Sequence, residues 1–419
     1  MRKPTKVGIL SLGCPRNLVD SQSLLRRLSL KKFKIVDIDK AQIAIINTCS
    51  FIKEAKEESI DKILDLIELK KQGFLKKIIV AGCLPARYKS ELVSNLPEVD
   101  AFLGIQGLPL VNHLEPSLTP RHYSYVKICE GCFNACSYCV IPKIKGEFRS
   151  RPLESILKEV NLLDKSLRRE INIIGQDISQ YGFDLYGRYS LDRLLTEITK
   201  NLKNIKWVRL LYLHPVHLTK RLINLIKNEP AICKYIDLPV QHINDKILKE
   251  MNRKTTKKEI INLIKYIREV IPDVAIRTSF IVGFPGETEE QFQELLDFVK
   301  DTRFERLGAF MYSREEGTPA YNFDNQTADE IKQERFDRLM SLQQQVAAKI
   351  CQDAIGKFKE VLIDEVCQDS ADTYLGRTTH DAPEVDGVVY VKAKGLKIGE
   401  IIKVKIKDSL EYDLIGDKN

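Results

Sequence analysis

Four cysteines fall within eleven consecutive positions, CEGCFNACSYC at residues 129–139. Cysteine thiolates are ligands for zinc and for iron–sulfur clusters, and spacing helps to separate the two. A zinc site begun by the CxxC of Cys129 and Cys132 wants a second CxxC or a His pair about 12 to 20 residues further on. The segment after Cys139, VIPKIKGEFRSRPLES, contains neither. Cys132, Cys136 and Cys139 instead form CxxxCxxC. A cube of four irons held by three thiolates keeps one iron without a protein ligand, and an open position is where a metal centre takes substrate. Cys129 ends the apolar run YVKIC and is expected to be structural.

Three more cysteines share a different context. Cys14 in SLGCPRN, Cys49 in NTCSF and Cys83 in AGCLP each follow an apolar segment. If those segments are parallel strands, the three thiols reach one edge of a sheet, the edge at which α/β folds bind ligands. A shared metal is the expectation. Cys233, Cys351 and Cys367 have no partner at ligand spacing and read as structural.

The elements that must position these groups follow from hydrophobic period. KVGILSLG, AQIAIINTC and KKIIVAGC read as buried strands, and EAKEESIDKILDLIELKKQG as a helix ending at Gly73. Their alternation gives a Rossmann-like α/β domain over 1–116. The linker EPSLTPRH follows, marked by Pro116 and Pro120. YVKI, INIIG, WVRLLYL, YIDLPV, AIRTSFIVGF and RLGAFMYS then alternate with amphipathic helices. Six strands with helical crossovers predict a partial β/α barrel over 122–350, with CEGCFNACSYC on the loop after its first strand. Barrel active sites lie on such loops. After ADEIKQERFDRLMSLQQQVAAKI the pattern changes to period 2, which predicts a small β-barrel over 353–419. Thr288, with Gln291 three residues on, predicts a capped helix start. His214 and His242, near strand ends, are expected to support neighbouring groups.

Composition sets the class. The chain has 419 residues, 43% hydrophobic and 30% charged, and no run of about 18 apolar residues that could span a membrane. The first residues carry no apolar signal core. The cytoplasm is therefore expected, where thiols stay reduced and ten cysteines suit metals and cores rather than disulfides. The net charge of +8 is uneven: residues 351–419 hold 10 Lys+Arg against 14 Asp+Glu, a net of −4, leaving +12 on the rest. A basic body is expected near nucleic acid or ribonucleoprotein. An acidic tail suits a basic protein better than RNA phosphates, and Asp381, Glu384 and Asp386 in DAPEVDG are expected to add to that acidic surface.

GCFNACSYC on such a barrel resembles the signature of the radical S-adenosylmethionine (SAM) superfamily. The three cysteines of the first domain resemble the amino-terminal domain of methylthiotransferases. SLGCPRNLVDS, GQDISQYG, YSREEGTPAYNF and DAPEVDG resemble the ribosomal-protein class, the RimO type, and the tail resembles a TRAM domain. The resemblance implies two 4Fe–4S clusters, one on Cys132, Cys136 and Cys139 that cleaves SAM, and one on Cys14, Cys49 and Cys83 that carries sulfur. It implies transfer of a methylthio group to the β-carbon of an aspartate in a small-subunit ribosomal protein, with two SAM consumed. It further implies Tyr138, Gln176, Asp177, Arg277 and Gly283 as SAM contacts. A reduced flavodoxin- or ferredoxin-type electron donor and contact with the ribosome are expected, and no membrane. A tRNA adenosine methylthiotransferase and a non-catalytic iron–sulfur scaffold or RNA-binding adaptor are the competing readings.

Overall fold

The apolar segments of the first hundred residues become parallel strands. The computed structural model describes residues 4–105, 116–368, 370 and 372–418. Its first sheet comprises β1 (Lys6–Ser11), β2 (Lys34–Ile35), β3 (Ile43–Thr48), β4 (Lys77–Gly82) and β5 (Ala101–Leu103), in the order β2-β1-β3-β4-β5. Helices α1 (Pro15–Leu30), α2 (Lys53–Lys71) and α3 (Cys83–Asn95) follow β1, β3 and β4. Ala44, Ile45 and Ile46 of the central strand are all buried, as both faces of a covered parallel sheet require. β2 and β5 were not foreseen. The expected linker begins at Glu115, which with 106–114 lies outside the described residues.

The second sheet contains the six expected strands: β6 (Tyr123–Lys127), β9 (Glu170–Ile174), β10 (Trp207–Leu210), β11 (Ile232–Asp237), β12 (Ala275–Val282) and β13 (Arg306–Met311). All pair in parallel, in the order β13-β12-β11-β10-β9-β6. The sheet stays open, a partial barrel. Between its first two strands, β7 (Cys129–Glu130) and β8 (Arg149–Ser150) form an antiparallel ribbon around the cysteine loop. Ile171, Ile173, Val208, Ile236 and Phe280 from the strands share one apolar core with Ile156, Leu195, Ile223 and Leu295 from the helices. The Thr288 cap forms as expected: its side chain accepts from Gln291 N, and Gln291 reaches back.

Helix Asp329–Gln352 leads into β14 (Phe358–Val366), β15 (Thr373–Thr378), β16 (Val389–Lys392), β17 (Ile401–Ser409) and β18 (Leu414–Lys418). They close as β14-β15-β16-β18-β17. Period-2 burial of Ile402, Val404 and Ile406 fills the interior.

One expectation about this tail is corrected. In the connection between β15 and β16, which holds DAPEVDG, Asp381 and Asp386 turn inward, and of the three acids only Glu384 stays exposed. The connection covers the N-terminal ends of the partial barrel's strands. Asp381 pairs with Arg306, the first residue of β13, and Asp386 accepts from the Tyr235 hydroxyl of β11 at 2.6 Å. The Tyr123 hydroxyl of β6 donates to Glu384 at 2.7 Å, and Arg209 of β10 donates to Thr379 O at 2.7 Å. Asp381 is 2% exposed. Burial alone would raise its carboxyl pKa, but Arg306 overrides this and holds it below the usual range. Net charge placed these acids in the tail; it carried no information on which way they face.

Candidate active site

Cys14, Cys49 and Cys83 occupy equivalent places at the C-terminal edge of three neighbouring strands. Cys14 caps α1 just beyond β1, Cys49 directly follows β3, and Cys83 opens α3 after β4. The register pairs Ser11 with Asn47, and Thr48 with Gly82. Gly13 has φ +80°, and a Cβ there would lie 2.7 Å from the Cys49 Cβ, so only glycine lets the first loop pass. Asn17 ties the edge together: its amide nitrogen donates to Leu12 O and Thr48 O, and its oxygen faces Cys83 Sγ at 3.6 Å. Burial, with the charges of Cys49 and Cys14, pushes the Cys83 thiol up to about 12. Cys14 differs. Burial would raise it, but Arg16 beside it brings it below the ordinary value.

Cys132, Cys136 and Cys139 lie on the loop after β7, at the mouth formed by the C-terminal ends of β6 and β9. Neighbouring loops hold this segment at several points. Ser137 N and Oγ donate to Met251 O and Glu250 O at 3.0 and 2.7 Å, and Asn252 Nδ2 donates to Ala135 O at 2.7 Å. Phe133 N donates to Gln180 Oε1, and Ala320 N to Ser137 O. Burial raises the Cys132 and Cys139 thiols to about 11 and about 12. Two sets of three thiols, Cys49 and Cys83 buried and the other four partly exposed, are of a type that suits iron–sulfur ligation, and loading would displace their protons. Cys129 stands apart. It is 0% exposed, and a Cβ on Gly175 would strike its Sγ, which makes it a packing residue under the loop.

The two triads lie on either side of the interface of the first two domains, where Arg16 contacts Cys14 and its charge reaches Cys139; that interface is polar and interlocked. Lys127 and Lys145 both contact Asp20 of α1, and both contact Glu130 beside the cysteine loop. Glu315, 2% exposed, receives Lys56 at 2.9 Å and Arg87 at 2.6 Å from the first domain. The YSREEGTPAYNF segment thus docks one domain on the other. Arg16 reaches furthest, from Cys14 Sγ at 3.4 Å to Gly175 O at 3.1 Å on the opposite domain.

The side chains expected to touch SAM are mostly engaged elsewhere. Arg277 is the third residue of β12, at the closed end of the barrel. It pairs with Asp237 at 3.1 Å and Asp386 at 3.5 Å, so it is corrected from a SAM contact to a strut under the barrel. Gln176 donates to Glu130 at 2.8 Å. Asp177 accepts from Ser179, Asn134 Nδ2 and Gln180 Nε2, with His217 Nδ1 at 3.2 Å, so its carboxylate holds the cysteine loop. Of the polar side-chain atoms of Gln176 and Asp177, only Gln176 Oε1, buried, is left without a partner among the described residues. Gly283, at φ +68°, donates to Glu287, and a Cβ there would strike the Lys332 side chain. Tyr138 remains beside the loop, half-buried against Ile247, Met251 and Phe284. His242, 0% exposed, bridges Glu287 at 3.0 Å and Asn244 N, a supporting role as expected. Burial first, then Arg253, pulls His214 down to about 3, so it is neutral.

One residue escaped the sequence reading. Arg253 is 8% exposed, donates to Cys136 Sγ at 3.8 Å and to Pro239 O at 2.6 Å, and has no carboxylate at ion-pair distance among the described residues. An arginine in MNRKTT carries no sequence signal of its own; only the fold brings it to the thiols.

Comparison with known proteins matches this geometry. Residues 126–299 match the radical SAM superfamily, 355–418 the TRAM domain, and 6–104 an uncharacterized protein family, UPF0004. The chain is 47% identical to the ribosomal protein uS12 methylthiotransferase RimO of Geobacter sulfurreducens, over 98% of each chain. It is 45% identical to the protein of that name from Clostridioides difficile, again over 98% of each. The chain belongs to the RimO family of methylthiotransferases. RimO proteins are radical SAM enzymes, and their cofactors are SAM and 4Fe–4S clusters. Among solved structures, the radical SAM methyltransferase TsrM of Kitasatospora setae, with cobalamin and a 4Fe–4S cluster bound, shares the fold. Its TM-score is 0.54 at 14% identity, over 85% of this chain and 81% of TsrM. Among the described residues no helix is long and apolar enough to cross a membrane.

Proposed function

We propose that this chain transfers a methylthio group to the β-carbon of an aspartate in ribosomal protein uS12. What supports the reading is a chain 47% identical to a uS12 methylthiotransferase over 98% of its length, with Arg16 joining Cys14 of the first triad to the domain that carries the second. A single cluster would suffice for SAM cleavage. A second triad beside it suits a sulfur carrier.

In this reading Cys132, Cys136 and Cys139 hold the cluster that binds SAM, and Cys14, Cys49 and Cys83 hold the other. The bound cluster and SAM supply a radical able to take hydrogen from a C–H bond that no side-chain base could deprotonate. The protein's own work is positional. Asp177 and the 250–253 loop fix the cysteine segment. The Gly175–Asp177 backbone and Tyr138 border the SAM site. Arg253, buried and without a carboxylate partner among the described residues, suits the carboxylate of SAM, because a guanidinium matches a planar carboxylate in shape and charge. The domains take the spans 1–116, 122–350 and 353–419. In this reading a second SAM would supply the methyl group, and a reduced flavodoxin- or ferredoxin-type protein would supply the electron. The basic first 350 residues suit contact with the ribosome.

The test presents the reduced, reconstituted enzyme with uS12, with small ribosomal subunits and with tRNA carrying the adenosine precursor, and reads each by mass spectrometry. A methylthio gain on an aspartate of uS12, with deoxyadenosine released, is expected. Gain on the nucleoside alone would assign the tRNA reaction instead. Absence of deoxyadenosine would leave a non-catalytic scaffold.

A further inference from the structure

Arg16 touches both domains and lowers the Cys14 thiol. It is half-buried at the start of α1, in the gap between the two triads. Nε donates to Cys14 Sγ at 3.4 Å and Nη1 to Gly175 O at 3.1 Å. Its guanidinium lies 4.3 Å over the ring of Tyr212, which follows β10 at the same barrel mouth. Tyr212 holds a positive φ of +68°, rare for an aromatic residue, and its backbone N–H is fixed by Asp237 at 2.9 Å. The ring under Arg16 is therefore set in place by the fold.

The other cations of this interface are balanced. Lys127 and Lys145 each contact Asp20 and Glu130, and Lys56 and Arg87 share Glu315. Arg16 has no Asp or Glu at ion-pair distance among the described residues, and its Nη2 makes no hydrogen bond there. A guanidinium held flat by a ring, anchored at two of its nitrogens and left with one donor edge unpaired, is prepared for an anion. Arginine reads planar carboxylates with directional hydrogen bonds.

We infer that Arg16 is the specificity-determining residue that binds the side-chain carboxylate of the target aspartate and so brings its β-carbon between the two triads. This rests on the uS12 reading given above. The carboxylate is one bond from the carbon that reacts, so holding it fixes the C–H bond that must be reached. Asparagine has the same shape without the charge. Removing a charge-assisted hydrogen bond from a half-buried site lowers affinity by about tenfold or more.

The experiment uses the anaerobically reconstituted enzyme and two probes: purified uS12, and uS12 in which the modified aspartate is replaced by asparagine. Affinities for both, and for SAM, are measured for the native enzyme, Arg16→Lys and Arg16→Met. The native enzyme is expected to prefer the aspartate form by about tenfold or more. Arg16→Lys should keep part of that preference and Arg16→Met none. A native enzyme that binds both forms equally overturns the inference without recourse to any variant. So does an Arg16→Met enzyme that keeps the preference, or one that keeps it while losing SAM, which would give Arg16 to the cofactor. If the native enzyme methylthiolates uS12 in any of these cases, the proposed function stands and the role of Arg16 alone falls. If it modifies only tRNA, both fall.

Discussion

A thiol raised to about 12, as Cys83 and Cys139 are, is almost wholly protonated near neutral pH, so in the proposed cluster reading each would surrender a proton as iron arrives. Cys14, lowered through Arg16, gives up its proton more readily than Cys49 or Cys83, which burial raises. Two four-iron clusters correspond to about eight irons per chain. Replacing Cys132, Cys136 and Cys139 together by Ala should leave about four, and so should the triple change at Cys14, Cys49 and Cys83. Colorimetric iron and the cluster absorbance check this. Full iron after the second change would remove the amino-terminal cluster from the account. Cys129→Ala should keep all the iron, since its thiol is packed against Gly175 rather than aimed into the loop. The carboxylate-free position of Arg253 leads to a second expectation. Arg253→Met should weaken SAM binding by about tenfold or more, measured by equilibrium dialysis on the reconstituted enzyme. Unchanged SAM affinity would reduce Arg253 to a support for the Cys136 loop.

At the scale of elements, Glu315 of the second domain takes two cations of the first, Lys56 and Arg87, on one carboxylate. Glu315→Gln leaves Lys56 and Arg87 facing a neutral amide inside a nearly closed interface. Breaking a buried pair from one side costs about 3 kcal/mol or more. Limited proteolysis should cut between the domains faster in this variant, while the TRAM barrel resists as before; equal cutting rates would show that Glu315 is not the clasp. The strands that built this arrangement were readable, because long apolar runs of Ile, Val and Leu announce covered parallel strands. The placement of the cysteines was readable in two ways: Cys14, Cys49 and Cys83 sit just past such runs, and Cys132, Cys136 and Cys139 share the CxxxCxxC spacing. β2, β5 and the β7–β8 ribbon, at two or three residues each, are too short to show a period. The orientation of side chains at strand ends was not readable either. Asp177 and Gln176 stand where SAM contacts were expected, yet the Asp177 carboxylate is spent on Asn134 and Gln180, and the Gln176 amide nitrogen on Glu130. Arg277 shares a strand with the mouth but sits at the other end of it. A strand residue's distance from the active edge depends on where the strand begins, and hydrophobic pattern locates that only to within a few residues.

For the whole molecule, the tail's role as the floor of the partial barrel governs stability. Asp381 and Asp364 are both held below the ordinary carboxyl range: burial raises each, and Arg306 in the first case, His122 and Arg377 in the second, more than offset it. A carboxyl with a depressed folded pKa contributes stability that is complete above its unfolded value, near about 3.9, and is lost as pH falls through the folded one. Acid should therefore loosen the tail from the barrel below about pH 4, seen as a protease-sensitive seam or a change in scattering. Asp386 shifts upward, mainly by burial, so it loses nothing on protonation. Asp381→Asn should destabilise at neutral pH by about 3 kcal/mol, and Asp386→Asn by clearly less. Equal losses in chemical unfolding would contradict this assignment.

That floor has a consequence for how the protein comes to exist. Residues 381–386 belong to the last tenth of the chain. Domains fold in order as synthesis proceeds, so β6 to β13 emerge while the loop that will close them is still being translated. Until then Arg209, Arg277 and Arg306 face an uncovered cleft with their distant partners missing. The nascent enzyme thus passes through a stage with its barrel assembled and its underside open. Messages truncated before that loop should yield aggregates or chaperone-bound chains rather than a smaller working enzyme.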